Sequence, residues 1–177
     1  MNRYQSLTQF SETTEGGIIY EYKPSTLKPF WRNYEPLTLQ RRLRFLMELV
    51  KGYRVYYLEK EGEIVAYSVI SKGGGRYGFA TKDDIVVGPY FVLENYRGKH
   101  YSEELVRALL QSEKISYKVA FDWIRYDNEP SIRCAERCGF VKTDTMEMKK
   151  PFRQLKICID HVGDIYLFRY RRQNVNK

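Results

Sequence analysis

Features that would cross-link this chain or anchor it in a membrane are scarce. Its 177 residues include three cysteines, and so sparse and odd a count argues against a disulfide framework and suits a reducing compartment. The longest uncharged apolar run, Ile85 to Leu93, is far shorter than the ~20 residues that a membrane-spanning helix needs. The first residues are polar and lack the apolar core of a secretory signal. We therefore expect a cytoplasmic protein that does not contact a membrane.

Histidine is also rare, and this limits the metal chemistry that the sequence predicts. The two histidines, His100 and His161, lie far apart, and the cysteines lack the paired spacing of zinc ligands. The glycine run at residues 73–75 is not followed by the Gly-Lys-Ser/Thr sequence of a phosphate-binding P-loop. We expect neither a bound metal ion nor a P-loop nucleotide site.

Positive charge, by contrast, is in excess. The chain carries 30 Lys and Arg against 22 Asp and Glu, a formal net charge of +8. This balance is compatible with nucleic acid, an anionic surface or a polyanionic small ligand, and also with a need for solubility alone. The length and the 43% share of hydrophobic residues predict one globular domain spanning residues 1–177.

Apolar periodicity and turn residues predict the order of secondary structure. The expected elements of the first half are a strand at Ile18–Lys23, a helix at 38–51, and a hairpin of Arg54–Lys60 with Ile64–Ile70. Those of the second half are a buried strand at Asp84–Val92, a helix at Ser102–Glu113, a strand at Lys118–Ile124, a short helix at Pro130–Arg137, and final strands at Val141–Lys149 and Leu155–Tyr170. This order predicts an α/β fold with a mixed sheet and helices on both faces.

The chemistry is concentrated where the buried strand ends and the next helix begins. The strand stops near Val92, and a short loop leads through Gly98 into a helix N-terminus. Free backbone N–H groups and the positive end of the helix dipole make such a place a site for an anion. Arg97, Lys99 and His100 add positive charge there, so the segment suits a diphosphate.

Two motifs resemble those of the GCN5-related N-acetyltransferases, the GNAT family. Residues 97–102, Arg-Gly-Lys-His-Tyr-Ser, are similar to its pyrophosphate loop, whose pattern is Gln or Arg, two residues, Gly, one residue, then Gly or Ala. His100 and Ser102 depart from the two small positions, and a Cβ at His100 is expected to crowd a diphosphate unless φ there is negative. The run from Ile124 to Phe140 resembles the later motif, in which an Asn follows a strand and a short helix ends in Gly-Phe.

The resemblance implies a fold and a co-substrate. The fold is a mixed, mainly antiparallel sheet with two splayed central parallel strands, and acetyl-CoA lies where they separate. The pantetheine arm pairs with the strand at 90–92, and Asn128 faces this arm from the other side. The implied cofactor-binding residues are Tyr90, Phe91, Val92, Arg97, Gly98, Lys99, His100, Tyr101, Ser102, Asn128 and Ser131.

The implied reaction is direct attack of a primary amine on the acetyl thioester. It needs a base for the amine and a proton donor for the leaving thiolate. The family often uses a Tyr as this donor, but Ala135 occupies the matching position. Ser131, Glu94 and Tyr126 are the remaining catalytic candidates.

The acceptor and two rival functions stay open. An amino sugar, a protein N-terminus and a small amine are all compatible with the sequence, so the expected partner is a small-molecule or peptide amine. The stretch from Pro24 to Pro36, with Phe30, Trp31 and Tyr34, either forms a wall of the acceptor cleft or packs the first helix. The rivals are an inactive acyl-CoA-binding module with the same fold and, less favoured, a basic nucleic-acid-binding domain.

Overall fold

The structure, a computed structural model, describes residues 7–22, 39, 52–75, 77–149 and 154–172. The predicted helix at 38–51, apart from Leu39, and the stretch at 24–36 lie outside these residues. No helix in the described part is long and apolar enough to cross a membrane.

Nine strands and two α-helices are formed within the described residues. The strands are β1 (Leu7–Glu12), β2 (Ile18–Tyr22), β3 (Arg54–Lys60), β4 (Glu63–Lys72), β5 (Ile85–Val92), β6 (Ala120–Arg125), β7 (Val141–Lys149), β8 (Gln154–Ile157) and β9 (Ile165–Tyr170). The helices are α1 (Tyr101–Gln111) and α2 (Glu129–Arg137), and a 3-10 turn spans Glu94–Tyr96. The chain divides into a first compact unit, Met1–Ser71 with Pro89–Leu105, and a second, Lys72–Gly88 with Val106–Lys177.

The first unit is built on strands in the order β1-β2-β3-β4-β5. The pairs β1/β2, β2/β3 and β3/β4 are antiparallel, and aromatic and β-branched residues that favour strands fill them. Tyr22, Val55, Tyr57 and Val69 form a buried cluster between these strands. Burial of each such side chain contributes about 2 kcal/mol of hydrophobic stabilisation. Both residues of the Glu61-Gly62 turn have positive φ, the conformation of a two-residue hairpin turn.

The second unit continues from the start of β5 in the order β5-β6-β9-β7-β8. β5 and β6 are parallel, with Ile85 opposite Ala120 and Val86 opposite Phe121. Parallel neighbours need a crossover connection, and α1 lies within it. The other pairs, β6/β9, β7/β9 and β7/β8, are antiparallel. The predicted mixed sheet, mainly antiparallel with one parallel pair, is therefore confirmed.

Two sequence-based expectations about strands were wrong. β1 was not predicted, because its residues are mostly polar and show no apolar pattern. Phe10 is the one residue of this strand that is buried. The expected strand at Leu155–Tyr170 is two strands, β8 and β9, separated by a loop at residues 158–164. Helix α1, from Tyr101 to Gln111, lies within two residues of the helix expected at 102–113 and confirms it.

Candidate functional site

The end of β5 is held in place by contacts within the first unit. The Phe91 ring stacks on Tyr67 with centroids 5.8 Å apart and an interplanar angle of 25°. The guanidinium carbon of Arg97 lies 5.6 Å from the centroid of the Phe91 ring. The Leu93 N–H donates to the Val65 carbonyl at 3.0 Å, so the strand is anchored where the loop begins.

The loop after β5 turns twice through left-handed backbone conformations. Gly98 has a φ of 82° and His100 a φ of 59°. A left-handed non-glycine residue stores about 1 kcal/mol or more of strain. His100 thus adopts the conformation for which the family pattern has glycine, and the condition of a negative φ at this position is not met. Its Nδ1 lies 2.8 Å from Oε1 of Glu103, which holds the ring in place.

Helix α1 begins immediately after His100. The Glu104 N–H donates to the His100 carbonyl at 3.1 Å, which closes the first helical turn. The N–H groups of the preceding residues of a first turn have no acceptor within the helix, and the dipole makes this end positive. The exposed side chains of Arg97 and Lys99 lie just before it in the chain, and Glu94 approaches Arg97 only to 3.8 Å. These features favour an anion at this segment, and the diphosphate site stays a prediction.

The buried carboxylate of Glu104 also holds the first turn of α1 in place. Glu104 is almost completely buried, and its Oε1 accepts hydrogen bonds from the Thr13 hydroxyl and from the Lys60 ammonium, the latter at 2.8 Å. The Thr13 hydroxyl in turn accepts from the Gly17 N–H at 2.8 Å. We call these four residues, Thr13, Gly17, Lys60 and Glu104, the Glu104 clamp. The clamp joins the β1–β2 turn and β3 to the first turn of α1.

Close packing explains why residue 17 is a glycine. A Cβ at Gly17 would lie 2.7 Å from Leu58 Cδ1 and 2.8 Å from Glu104 Oε1. The Lys60 ammonium also donates a hydrogen bond of 2.8 Å to the Glu15 carbonyl. Its Nζ lies 5.7 Å from the centroid of the Tyr101 ring. Sequence reasoning missed the clamp, because Glu104 looks like an ordinary first-turn acid and Thr13 and Lys60 carry no motif.

In the second unit, Asn128 begins helix α2. Its side-chain carbonyl accepts a hydrogen bond from the Ser131 N–H at 3.4 Å, and Pro130 occupies the first turn, where its missing N–H costs nothing. Just before it, Arg125 donates two hydrogen bonds of 3.1 Å to Asp127. The hydrogen bond from Arg125 lowers the pKa of the Asp127 carboxyl. The helix ends at Arg137, and Gly139, two residues later, has a φ of 88° and stops its continuation, as the sequence predicts.

The three catalytic candidates differ in their surroundings. Glu94, in the first unit, has a side chain that is 85% exposed. In the second unit Tyr126 is 55% exposed, and Ser131 is half-buried in the first turn of α2. Ala135 is 1% exposed and carries no ionisable group. The roles of these residues stay predictions, as does the set of cofactor-binding residues.

The sequence model of the acetyltransferase (GNAT) family matches residues 19–140 of this chain. The match spans both motifs and covers more than half of the sequence. No curated protein matches the chain.

Solved acetyltransferase structures share the fold. The putative acetyltransferase yncA from Salmonella typhimurium, solved with its cofactor acetyl-CoA, is 19% identical, with a TM-score of 0.55 over 82% of this chain and 80% of that one. A ribosomal-protein-alanine N-acetyltransferase from Brucella melitensis is 20% identical, with a TM-score of 0.54 over 84% and 86%. RimL, a ribosomal L7/L12 alpha-N-protein acetyltransferase in complex with coenzyme A, is 14% identical, with a TM-score of 0.56 over 80% and 76%.

Proposed function

The chain belongs to the acetyltransferase (GNAT) family, and we propose that it is an N-acetyltransferase that moves the acetyl group of acetyl-CoA to a primary amine. The observation that carries the proposal is the loop at residues 97–102, which enters the N-terminus of α1 through two left-handed residues. The acetyl-CoA in the yncA structure and the coenzyme A in the RimL structure support the choice of co-substrate.

The first unit supplies what a diphosphate needs. The first-turn N–H groups of α1 are donors for phosphate oxygens, and the helix dipole favours their negative charge. Arg97 and Lys99 add two cations on exposed side chains that can adjust to the ligand. His100 has the left-handed backbone of the glycine in the family pattern, but because its φ is positive its Cβ is expected to crowd a bound diphosphate, and this departure counts against the proposal.

The chemical step is a direct transfer. The amine nitrogen attacks the thioester carbonyl carbon, the N–C bond forms and the C–S bond breaks. The amine loses one proton to a base or to water, and the departing thiolate of coenzyme A takes up one proton. Glu94 is the candidate base, and Tyr126 and Ser131 are the candidate donors to sulfur. The acceptor is an amino sugar, a protein N-terminus or a small amine, and the reaction takes place in the cytoplasm.

Two measurements test the proposal directly. Calorimetry with acetyl-CoA is expected to show one binding site per chain, and free thiol is expected to appear when an amine from a panel of acceptors is added. No binding at near-millimolar acetyl-CoA would refute the proposal. If acetyl-CoA binds but no amine in the panel causes thiol release, the protein is instead an inactive acyl-CoA-binding module. The buried Ala135, at the position where the family often has a catalytic Tyr, favours this alternative.

The diphosphate contact is tested by a double substitution. Arg97→Ala with Lys99→Ala is expected to weaken acetyl-CoA binding about tenfold or more, because charge-assisted hydrogen bonds to phosphate are lost. Binding of acetyl-pantetheine, which lacks the diphosphate, is expected to stay unchanged. The matched control is Arg133→Ala with Lys118→Ala, which removes the same charge from exposed pairs elsewhere. Equal losses in both double variants contradict a local diphosphate site.

The catalytic candidates are tested one at a time. Ser131→Ala, Tyr126→Phe and Glu94→Gln are compared for kcat and for the Kd of acetyl-CoA. A true acid or base is expected to lose on the order of 100-fold in kcat while the Kd is unchanged. Ser112→Ala, at the end of α1, serves as the control. If all three variants keep the wild-type kcat, the candidates are wrong and the proton steps run through other groups or water.

A further inference from the structure

A mixed set of metal-ligand side chains gathers at the far edge of the second unit. Glu147 on β7, Cys158 after β8 and His161 in the loop before β9 place one potential ligand atom each within 4.8 Å of the others. The His161 Nε2 lies 3.7 Å from Oε2 of Glu147. The cluster is unrelated to the two motifs and independent of the acetyltransferase proposal.

The strand pairing sets two of these positions. β7 and β8 are antiparallel, with Met146 opposite Ile157 and Glu147 opposite Lys156. Cys158 follows directly, and its N–H donates to the Thr145 carbonyl at 2.9 Å. The thiol is thus carried at the end of a hydrogen-bonded ladder and not on a free loop.

The position of the third ligand, His161, is set by the loop between β8 and β9, which folds back towards β7. The Gly163 N–H donates to the Thr145 hydroxyl at 3.1 Å, so Thr145 binds both ends of the loop at residues 158–163. A Cβ at Gly163 would lie 2.1 Å from the Met146 carbonyl oxygen and 2.8 Å from the Cys158 sulfur. Only a glycine allows this approach, and the close return brings His161 back over β7.

The donor set selects the class of metal. A thiolate with an imidazole and a carboxylate suits zinc and similar divalent transition ions, whereas magnesium and calcium prefer oxygen ligands alone. Ligand atoms around tetrahedral zinc lie roughly 3.4 Å apart for bonds of about 2.1 Å. The His161–Glu147 separation of 3.7 Å is already close to this, and the exposed imidazole can move towards the sulfur.

We propose that Glu147, Cys158 and His161 bind a zinc-type divalent transition ion that clips the loop between β8 and β9 to β7. The Cys158 thiol releases one proton to solvent on binding, and the thiolate and the Glu147 carboxylate balance the two charges of the ion. Water completes the fourth position. No short sequence motif marks this site, because the three ligands lack a common spacing and come together only through strand pairing and the return of the loop.

The test uses the full chain without an affinity tag and Co²⁺ as the probe. Stoichiometric Co²⁺ is expected to produce a thiolate-to-cobalt charge-transfer absorption, which one equivalent of Zn²⁺ abolishes by displacement. Zn²⁺ is also expected to raise the Tm. Absence of the charge-transfer absorption, or of any effect of Zn²⁺ on the Tm, overturns the proposal.

Variants assign the absorption to the cluster. Cys158→Ser is expected to remove the charge-transfer absorption, and His161→Ala to weaken Co²⁺ binding on the order of tenfold or more. Because His161 is exposed, its loss does not threaten folding, and circular dichroism checks the Cys158→Ser chain. His100→Ala removes the only other histidine and is expected to leave Co²⁺ binding unchanged. An absorption that survives in a folded Cys158→Ser chain shows adventitious binding elsewhere and refutes the site.

Discussion

Substituting Glu104 by Gln is expected to lower the free energy of unfolding by about 3 kcal/mol, because it leaves the Lys60 ammonium mostly buried without its counter-charge. The side chains of Glu104 and Lys60 are 3% and 14% exposed, so water can replace little of what is lost. The amide has nearly the same size as the carboxylate, which separates the effect of charge from that of a cavity. Urea denaturation, with an unchanged m-value, measures the difference.

A double-mutant cycle shows whether the two residues act together. Lys60→Met alone leaves the Glu104 carboxylate buried and uncompensated. This variant is expected to lower the free energy of unfolding by a similar amount. The double variant removes both charges and is expected to cost clearly less than the sum, with a coupling energy of roughly 1–3 kcal/mol. Additive costs contradict a coupled pair. Glu129→Gln, which breaks an exposed pair with Arg133 on α2, is the control and is expected to change little.

The clamp also connects stability to the candidate site. Glu104 closes the first turn of α1 through its N–H to His100, and its side chain ties that turn to β3 and the β1–β2 turn. When the first turn of α1 is less ordered, its N–H groups are less often positioned to donate hydrogen bonds to an anion. Glu104→Gln is therefore expected to weaken acetyl-CoA binding under conditions where the variant is still folded, although Glu104 does not contact the ligand in this proposal.

Replacing Asp84 by Ala is the second change with a large expected effect, about 2–4 kcal/mol of unfolding free energy. The buried carboxylate accepts from the Thr81 N–H and hydroxyl at 2.8 and 2.7 Å, and from the Val119 N–H at 3.1 Å. It thereby joins the residues that precede β5 and β6. The Asp84→Ala substitution removes all three acceptor contacts at once and leaves donors without partners at the start of the parallel pair.

The neighbouring aspartate provides a matched control for this change. Asp83 is exposed and pairs with Lys118 at 2.8 Å, and this hydrogen bond lowers the pKa of the Asp83 carboxyl. Asp83→Ala is expected to leave the Tm nearly unchanged, because solvent screens the pair. Thermal unfolding of both variants at neutral pH gives the comparison. Equal shifts in Tm show that the Asp84 hydrogen bonds are not the cause.

Local chemistry let the sequence predict much of the fold and the position of the candidate site. The Glu61-Gly62 turn, the strand at β5 and the Gly139 end of α2 each depend on neighbours a few residues away. The predictions made from them are confirmed. The loop at residues 97–102 was also recognisable from its residues, since a helix N-terminus preceded by basic residues is a local feature.

Only the tertiary structure decided which polar residues are buried and what they hold. Glu104 reads as an exposed first-turn acid, yet it meets Thr13, which lies 91 residues away in the sequence. Strand pairing likewise gathers Glu147, Cys158 and His161 without a shared spacing. The sequence by itself determined most of the described elements and the family resemblance, and it predicted an anion site at the loop of residues 97–102, because these depend on short-range patterns. Contacts between distant segments carry no such pattern, so the clamp beneath that loop and the proposed metal site emerged only from the folded chain.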